Sequence, residues 1–340
     1  MQHHEVDTER LTAGEVLAGY LHARAGDFLR SLRQYSECGS DTAAAEQAAR
    51  ALRGSARRIG GSLHTYRPLL DPAWADDLRT ELAWLSGTLA QEHACTARLH
   101  RLVTALARLS GASTAAVPAA RAGTPAATQP PSTLTVGASR AGALLERQLT
   151  LQRTRSHSAA LQALGSSRFH AVADAVAVLA SDVPLSPMTA APAVEVLAQP
   201  VEATEGQLLD AVSRLPLELA AHPYNAEALV HGLATPADGE AQDAPWHHVR
   251  QLLRLHRYGQ EVWCAGGVPD PVLTAAGQTL DHHRDAAEAS AAAANAARTP
   301  RIAPATAYAL GVLHADQRLE VEAARFAFQQ VWQRTAVVAP

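Results

Sequence analysis

The sequence predicts an all-α protein. Alanine is abundant, aromatic residues make up only 4% of the 340 residues, and runs of β-branched residues are scarce, a composition that favours helix over strand. Apolar residues recur at helical intervals over most of the chain, and these periodic segments open on recognisable caps: Thr12 with Glu15, Asp41, Asp71-Pro72, Thr204 with Gln207, Asp243-Ala244-Pro245 and Asp270-Pro271. A chain of this length can bury one large core or two moderate ones.

Residues before Leu11 read as a polar tail. From Thr12 the first helix runs through Leu17, Tyr20, Leu21, Phe28 and Leu32 to about Tyr35. Asp41 caps a second helix that ends at Arg67-Pro68, and Asp71-Pro72 restarts the chain. Leu78, Leu82, Leu85 and Leu89 then form a core-facing seam that extends towards Leu109. Residues 111–139, rich in Ala, Pro, Ser and Thr, lack apolar periodicity and read as a flexible, disordered loop. Helix resumes over 140–164 and 167–180. A Pro-rich bridge over 183–201 divides a first half, 11–182, from a second, 202–336. In the second half Thr204 opens a helix towards Leu219, Asp243 caps the next, Asp270-Pro271 starts its partner, and Pro304 opens a closing helix with Leu319, Ala323 and Phe326 on one face.

The most informative stretch is Trp246 to Tyr258, W-H-H-V-R-Q-L-L-R-L-H-R-Y. His247, Arg250, Arg254 and Arg257 follow at steps of three, four and three, which places four cations on one helical face, opposite Val249, Leu252, Leu253 and Trp263. Like charges along a face repel, so a row of one sign points to an anionic partner. The pattern occurs twice. Arg50, Arg53, Arg57, His64 and Arg67 form a comparable row against Leu52, Ile59, Leu63 and Tyr66; setting Leu52-Arg53 against Val249-Arg250 aligns the two rows, and Thr88-Leu89 pairs with Thr279-Leu280 a helix later, a weak internal duplication.

Composition narrows the partner. All 29 basic residues are arginine and the net charge is −4, so attraction to polyanions must come from local clustering, which counts against nucleic acid as the main partner. No aromatics interleave with the arginines to stack bases. The three cysteines, Cys38, Cys95 and Cys264, read as buried small hydrophobes in a reducing compartment. The polar N-terminus does not read as a signal peptide, and no apolar run is long enough to span a membrane. Adjacent His pairs, His247-His248 and His282-His283, point about 100° apart on a helix and do not easily ligate one metal ion, which leaves open only a site shared between helices, such as His247 with His283 and Asp285; no nucleophile motif or paired-carboxylate array appears. No cofactor, metal or catalytic residue is expected.

The order and spacing of these motifs resemble the CHAD family, the conserved-histidine α-helical domain. The resemblance rests on His247-x-x-Arg250-x-x-x-Arg254-x-x-Arg257-Tyr258, on Arg53-x-x-x-Arg57-Arg58 followed by Tyr66-Arg67-Pro68-Leu69-Leu70-Asp71 and Leu78-x-x-Glu81-Leu82-x-Trp84-Leu85, on Leu164-x-Ser166-x-Arg168-Phe169, on Leu280-x-x-His283-Arg284-Asp285 and on Tyr308-Ala309-Leu310-Gly311. It covers about Leu11 to Arg334. It implies two helical halves whose basic faces line a shared groove, non-catalytic binding of inorganic polyphosphate, and a cytoplasmic location with polyphosphate granules as an implied site. The expected ligand residues are His247, Arg250, Arg254, Arg257, His283 and Arg284, with Arg50, Arg53, Arg57, Arg58, His64 and Arg67. The first row departs from the family pattern: Arg50 stands where a His is expected, Gly60-Gly61 interrupt the charges, and His93-Ala94-Cys95-Thr96 replaces an Arg-Asp-x-Asp run. It is therefore expected to bind less strongly than the second. The alternatives are a degenerate scaffold for protein–protein contact and, behind it, a metal-dependent phosphohydrolase.

Overall fold

The computed structural model describes residues 11–39, 41–111, 133–222, 236–264 and 269–338. Among them regular structure is helical: α1 (Ala13–Glu37), α2 (Thr42–Thr65), α3 (Pro72–Leu109), α4 (Thr133–Leu164), α5 (Ser167–Leu179), the short α6 (Ala193–Val196), α7 (Ala198–Ser213), the short α8 (Leu217–Ala220), α9 (Pro236–Trp263), α10 (Pro271–Ala297) and α11 (Pro304–Val338), with 3-10 turns at Arg67–Leu69 and Pro187–Ala190.

The N-terminal caps act as their chemistry requires. The Thr12 hydroxyl accepts from the Glu15 amide at 3.2 Å while the Glu15 carboxylate accepts from the Thr12 amide at 2.8 Å, a reciprocal capping box. Asp41 accepts from the amides of Ala43 and Ala44, Asp71 from Trp74 and Asp270 from Val272, each filling an amide that the helix start leaves without a partner.

Other boundaries differ from the sequence reading. Helix α4 begins at Thr133, so 133–139 is helical rather than loop; residues 112–132 lie outside the described residues, as does the tail over 1–10. Helix α7 begins at Ala198, with Pro200 in its first turn where a missing N–H costs nothing, so Thr204 lies inside the helix, buried, its hydroxyl donating to the Val201 carbonyl. The Pro-rich bridge is packed. Ser186 donates to the Leu69 carbonyl, Asp71 to Pro184, Ala13 to Ala191 and Ala193 to Leu11, so it is stitched to the start of α1 and to the α2–α3 turn.

The chain forms two compact units, each assembled from separated segments. Unit 1 takes Met1–His93, Arg155–Leu215 and His248–Gly277; unit 2 takes Ala94–Thr154, Pro216–His247 and Gln278–Pro340. Unit 1 has a core of large residues: Leu17, Leu21 and Phe28 of α1, Leu52, Ile59 and Leu63 of α2, Leu82 and Leu85 of α3, Val172 and Val176 of α5, and Val262 of α9. Each fully buried Leu or Phe there contributes about 1.5–3 kcal/mol of transfer free energy.

The core of unit 2 is rich in alanine: Ala141 and Leu145 of α4, Ala289, Ala293 and Ala296 of α10, and Ala309, Leu310 and Leu313 of α11, with Leu102 and Leu106 of α3. Small residues let these helices approach closely; a Cβ on Gly137 would lie 2.1 Å from the Ala305 carbonyl oxygen. The inward face of α11 is not the Leu319 side. Leu319 is exposed, whereas Leu313, Gln317, Val321, Ala324 and Phe328 are buried together with Arg318, Glu322, Arg325 and Gln329. Of the cysteines only Cys95 is buried; Cys38 is half-buried and Cys264 exposed.

Candidate functional site

Helix α9 reaches back to Pro236 and runs through Pro245, so Asp243 is an interior helical residue and not the expected cap. Beyond Pro245 the helix is amphipathic as the sequence requires. Val249, Leu252, Leu253, His256 and Val262 are buried, while His247, Arg250, Arg254 and Arg257 are half-buried along the flanking face. His256 is a core residue, its imidazole pushed below the ordinary range by burial. On α2, Leu52, Ala56, Ile59 and Leu63 face the core of unit 1, leaving Arg50 exposed and Arg53 and Arg57 half-buried.

The two helices that carry the rows touch within unit 1, and Gly61 is the reason they can. A Cβ at Gly61 would lie 2.4 Å from Cδ2 of the Tyr258 ring, a separation van der Waals radii forbid. Across the same contact Gly259 faces Thr65, and the Tyr66 hydroxyl donates to the Gly259 carbonyl at 2.8 Å. The glycine read from sequence as a gap in the charges is a packing requirement. Its neighbour Gly60 has only the Arg79 side chain at 4.0 Å from its would-be Cβ.

Several expected ligand cations already hold protein partners. Arg58 donates from Nε to Glu261 at 3.0 Å, the Tyr20 hydroxyl donates to the same oxygen at 3.0 Å, and the Arg58 guanidinium lies 5.9 Å from the Tyr258 ring centre. Burial, and then Glu261, raise the Tyr20 phenol. Arg67 grips Asp76 with Nε and Nη2 at 3.0 and 2.8 Å; Arg79 pairs with Asp76 at 3.3 Å and approaches His64 Nδ1 at 2.6 Å. Burial first, then Arg79, lowers the His64 imidazole, which favours the neutral ring. Arg50 donates to the Glu46 carbonyl at 3.3 Å.

Unit 2 places the remaining candidates differently. His283 is 1% exposed, where an exposed cation was expected. Its ring stacks on Trp246 with centroids 5.6 Å apart and meets His247 edge-on at 5.4 Å. Arg325 donates from Nε to His283 Nε2 at 3.3 Å, and Asp243 Oδ1 lies 3.4 Å from the same nitrogen. Burial, reinforced by Arg325 and His247 against the opposing pull of Asp243, brings this imidazole down to about 4. His283 is therefore neutral near pH 7 and part of the interior. Arg284, next to it, is held by Asp285, 3.0 Å from Nε, and by Glu288 at 3.8 Å.

Around His283 lies a buried ion cluster the sequence did not disclose. Asp243 receives Arg318 Nη1 at 2.6 Å and Arg325 Nη2 at 2.7 Å, and Arg325 Nη1 also reaches Glu322 at 2.7 Å. Burial alone would raise the Asp243 carboxyl; its contacts with His283 and Arg318 outweigh that and hold it well below the usual range. Two carboxylates and two guanidiniums balance, as buried charge must. The inward-facing Arg318 and Arg325 on α11 were the available signal, but polar residues at core positions are read as surface in the absence of their partners. Glu261 could have been found from sequence, since it continues the α9 row by one more step of four.

Among the described residues no cluster of three or more His, Cys, Asp or Glu is placed to hold a metal ion, and no helix is long and apolar enough to cross a membrane.

Comparison with known proteins gives two findings. The model of the CHAD domain matches residues 23–293. The solved structure of PptA from Streptomyces chartreusis is similar at 57% identity with a TM-score of 0.78, over 95% of this chain and 99% of that one. Among curated proteins none matches.

Proposed function

The chain belongs to the CHAD domain family, and from that membership and the arrangement of its cations we propose that it binds inorganic polyphosphate without chemically altering it. The observation that carries this reading is the pairing of two cation-bearing helices in unit 1. Arg250, Arg254 and Arg257 follow one face of α9, Arg50, Arg53 and Arg57 follow α2, and the helices are locked together at Gly61 and Tyr258. Neighbours on such a row stand about 5–6 Å apart, a spacing that can track the closely repeated charges of a phosphate chain, and guanidinium forks suit its oxygens. The helices touch at positions that align in the weak duplication read from the sequence: Arg53 corresponds to Arg250 and, by the same offset, Gly61 to Tyr258. That supports the two rows acting on one ligand.

His283 is buried and Arg58, Arg67 and Arg284 are held by carboxylates, so the proposed track is drawn from the two rows themselves: Arg50, Arg53 and Arg57 of α2 and Arg250, Arg254 and Arg257 of α9. Six contacts at about −0.7 each give a slope of log K against log[salt] of about −4. The test is a titration of the purified protein with long-chain polyphosphate near physiological salt, together with chain-length measurement after overnight incubation with Mg²⁺ or Mn²⁺. Saturable binding with that slope and unchanged chain length is expected. No binding would favour a protein-contact scaffold, and release of orthophosphate would make the protein a hydrolase. Polyphosphate granules in the cytoplasm are the location this reading implies.

A further inference from the structure

Arg250, Arg254, Arg257 and Glu261 lie on one face of α9 at steps of four, three and four, so the position where a fourth contact to an anionic chain would fall is occupied by a carboxylate. Glu261 is firmly placed. One of its oxygens accepts from both Tyr20 and Arg58 at 3.0 Å, and its side chain is 16% exposed against 39% for Arg58. The half-buried pair contributes modestly to stability. Its effect on a bound polyanion is larger, because it neutralises a cation beside the row and sets a like charge in the ligand's path.

Resting on the polyphosphate reading above, we propose that Glu261 is a specificity-determining residue that terminates the anion track, acting as an internal counter-anion that keeps Arg58 from the ligand. Tyr20, from α1, fixes that carboxylate in place. The track then has a defined end on α9, and the number of phosphates engaged is limited by the protein and not by the length of the ligand.

The experiment compares wild type, E261Q, R58Q and E261Q/R58Q by polyphosphate titration over a range of salt. D174N serves as the control, since it removes the same charge from an exposed site on α5. E261Q is expected to bind about threefold more tightly, since exposed charge pairs are typically worth a few-fold, and its salt slope is expected to steepen by about 0.7 as Arg58 joins the contacts. The double variant returns to near wild-type affinity, and D174N changes the slope by nothing measurable. R58Q leaves Glu261 uncompensated, so affinity drops by a similar factor while the slope stays at the wild-type value.

An E261Q protein with wild-type affinity and slope overturns the proposal, as does an R58Q slope shallower by about 0.7, which would make Arg58 a direct contact. The R58Q slope decides the matter even if E261Q does not fold. A wild-type protein that does not bind polyphosphate would defeat the underlying reading, an outcome seen before any variant is made.

Discussion

Helix α9 contains, a few residues apart, two opposite uses of charge. Around Asp243 and Trp246, in unit 2, charges are buried and balanced: Asp243 is 4% exposed and sits between Arg318 and Arg325. From Arg250 onwards, in unit 1, cations of one sign lie half-buried along a face. The residue types are the same; the surroundings differ. A buried guanidinium without a carboxylate carries a desolvation cost of several kcal/mol, so Arg318 and Arg325 of α11 are met by Asp243 of α9 and Glu322 of α11. At the partly solvated face of unit 1 the cost is small, and a row of arginines is tolerated.

The comparison can be tested most forcefully in unit 2. Asp243→Ala would leave Arg318 and Arg325 buried and unpaired, and a loss of about 3–5 kcal/mol in unfolding free energy is expected by chemical denaturation. A loss below 1 kcal/mol would mean that the cluster is hydrated and not buried as described.

In unit 1 the corresponding double reversal, R250E/R254E, should leave stability nearly unchanged and reduce polyphosphate affinity. Charge-assisted contacts are worth about 1.5–3 kcal/mol each, so a loss of at least a hundredfold is expected in titration, exceeding that of R53E/R57E. Equal losses would make the two rows equivalent.

The buried imidazole gives unit 2 a pH signature. His283 titrates near 4 in the folded protein and near 6.5 when unfolded. Above 6.5 both states hold it neutral; as pH falls from 6.5 towards 4 the unfolded state takes up a proton that the folded state refuses, so stability declines through that window by up to about 3 kcal/mol. Urea midpoints across pH 4 to 7 would show this, and H283L should flatten the curve. A wild-type curve already flat over that range would place His283 in contact with water.

The smallest effect separates the two adjacent glycines. Gly61→Ala drives a methyl group into Tyr258 and should cost about 1–3 kcal/mol, whereas Gly60→Ala meets only the Arg79 side chain, in ordinary contact at 4.0 Å, and should gain up to about 1 kcal/mol from helix propensity. Thermal unfolding of the two variants would show opposite shifts; shifts of the same sign would indicate that α2 and α9 do not meet at this point.

What the sequence determined by itself was local or periodic. Helix starts at Thr12, Asp41, Asp71 and Asp270 are legible because a cap uses residues within a turn of one another. The basic face of α9 is legible because helical geometry fixes which side chains share a face whatever packs against it. The helix start at Ala198 has no side-chain cap, so no local signal marks it in the sequence. Tertiary structure alone decided which cations are available. Arg58 looks like any other arginine of its row in sequence, yet it meets a carboxylate that only the fold brings to it: Glu261 lies 203 residues away along the chain. The same holds for His283, whose charge state is set by Trp246, Asp243 and Arg325 closing around it, and for Gly61, whose meaning appears only when Tyr258 is brought against it. Burial and long-range pairing change the free energy of a charge by several kcal/mol, more than any local preference encoded in the sequence around it.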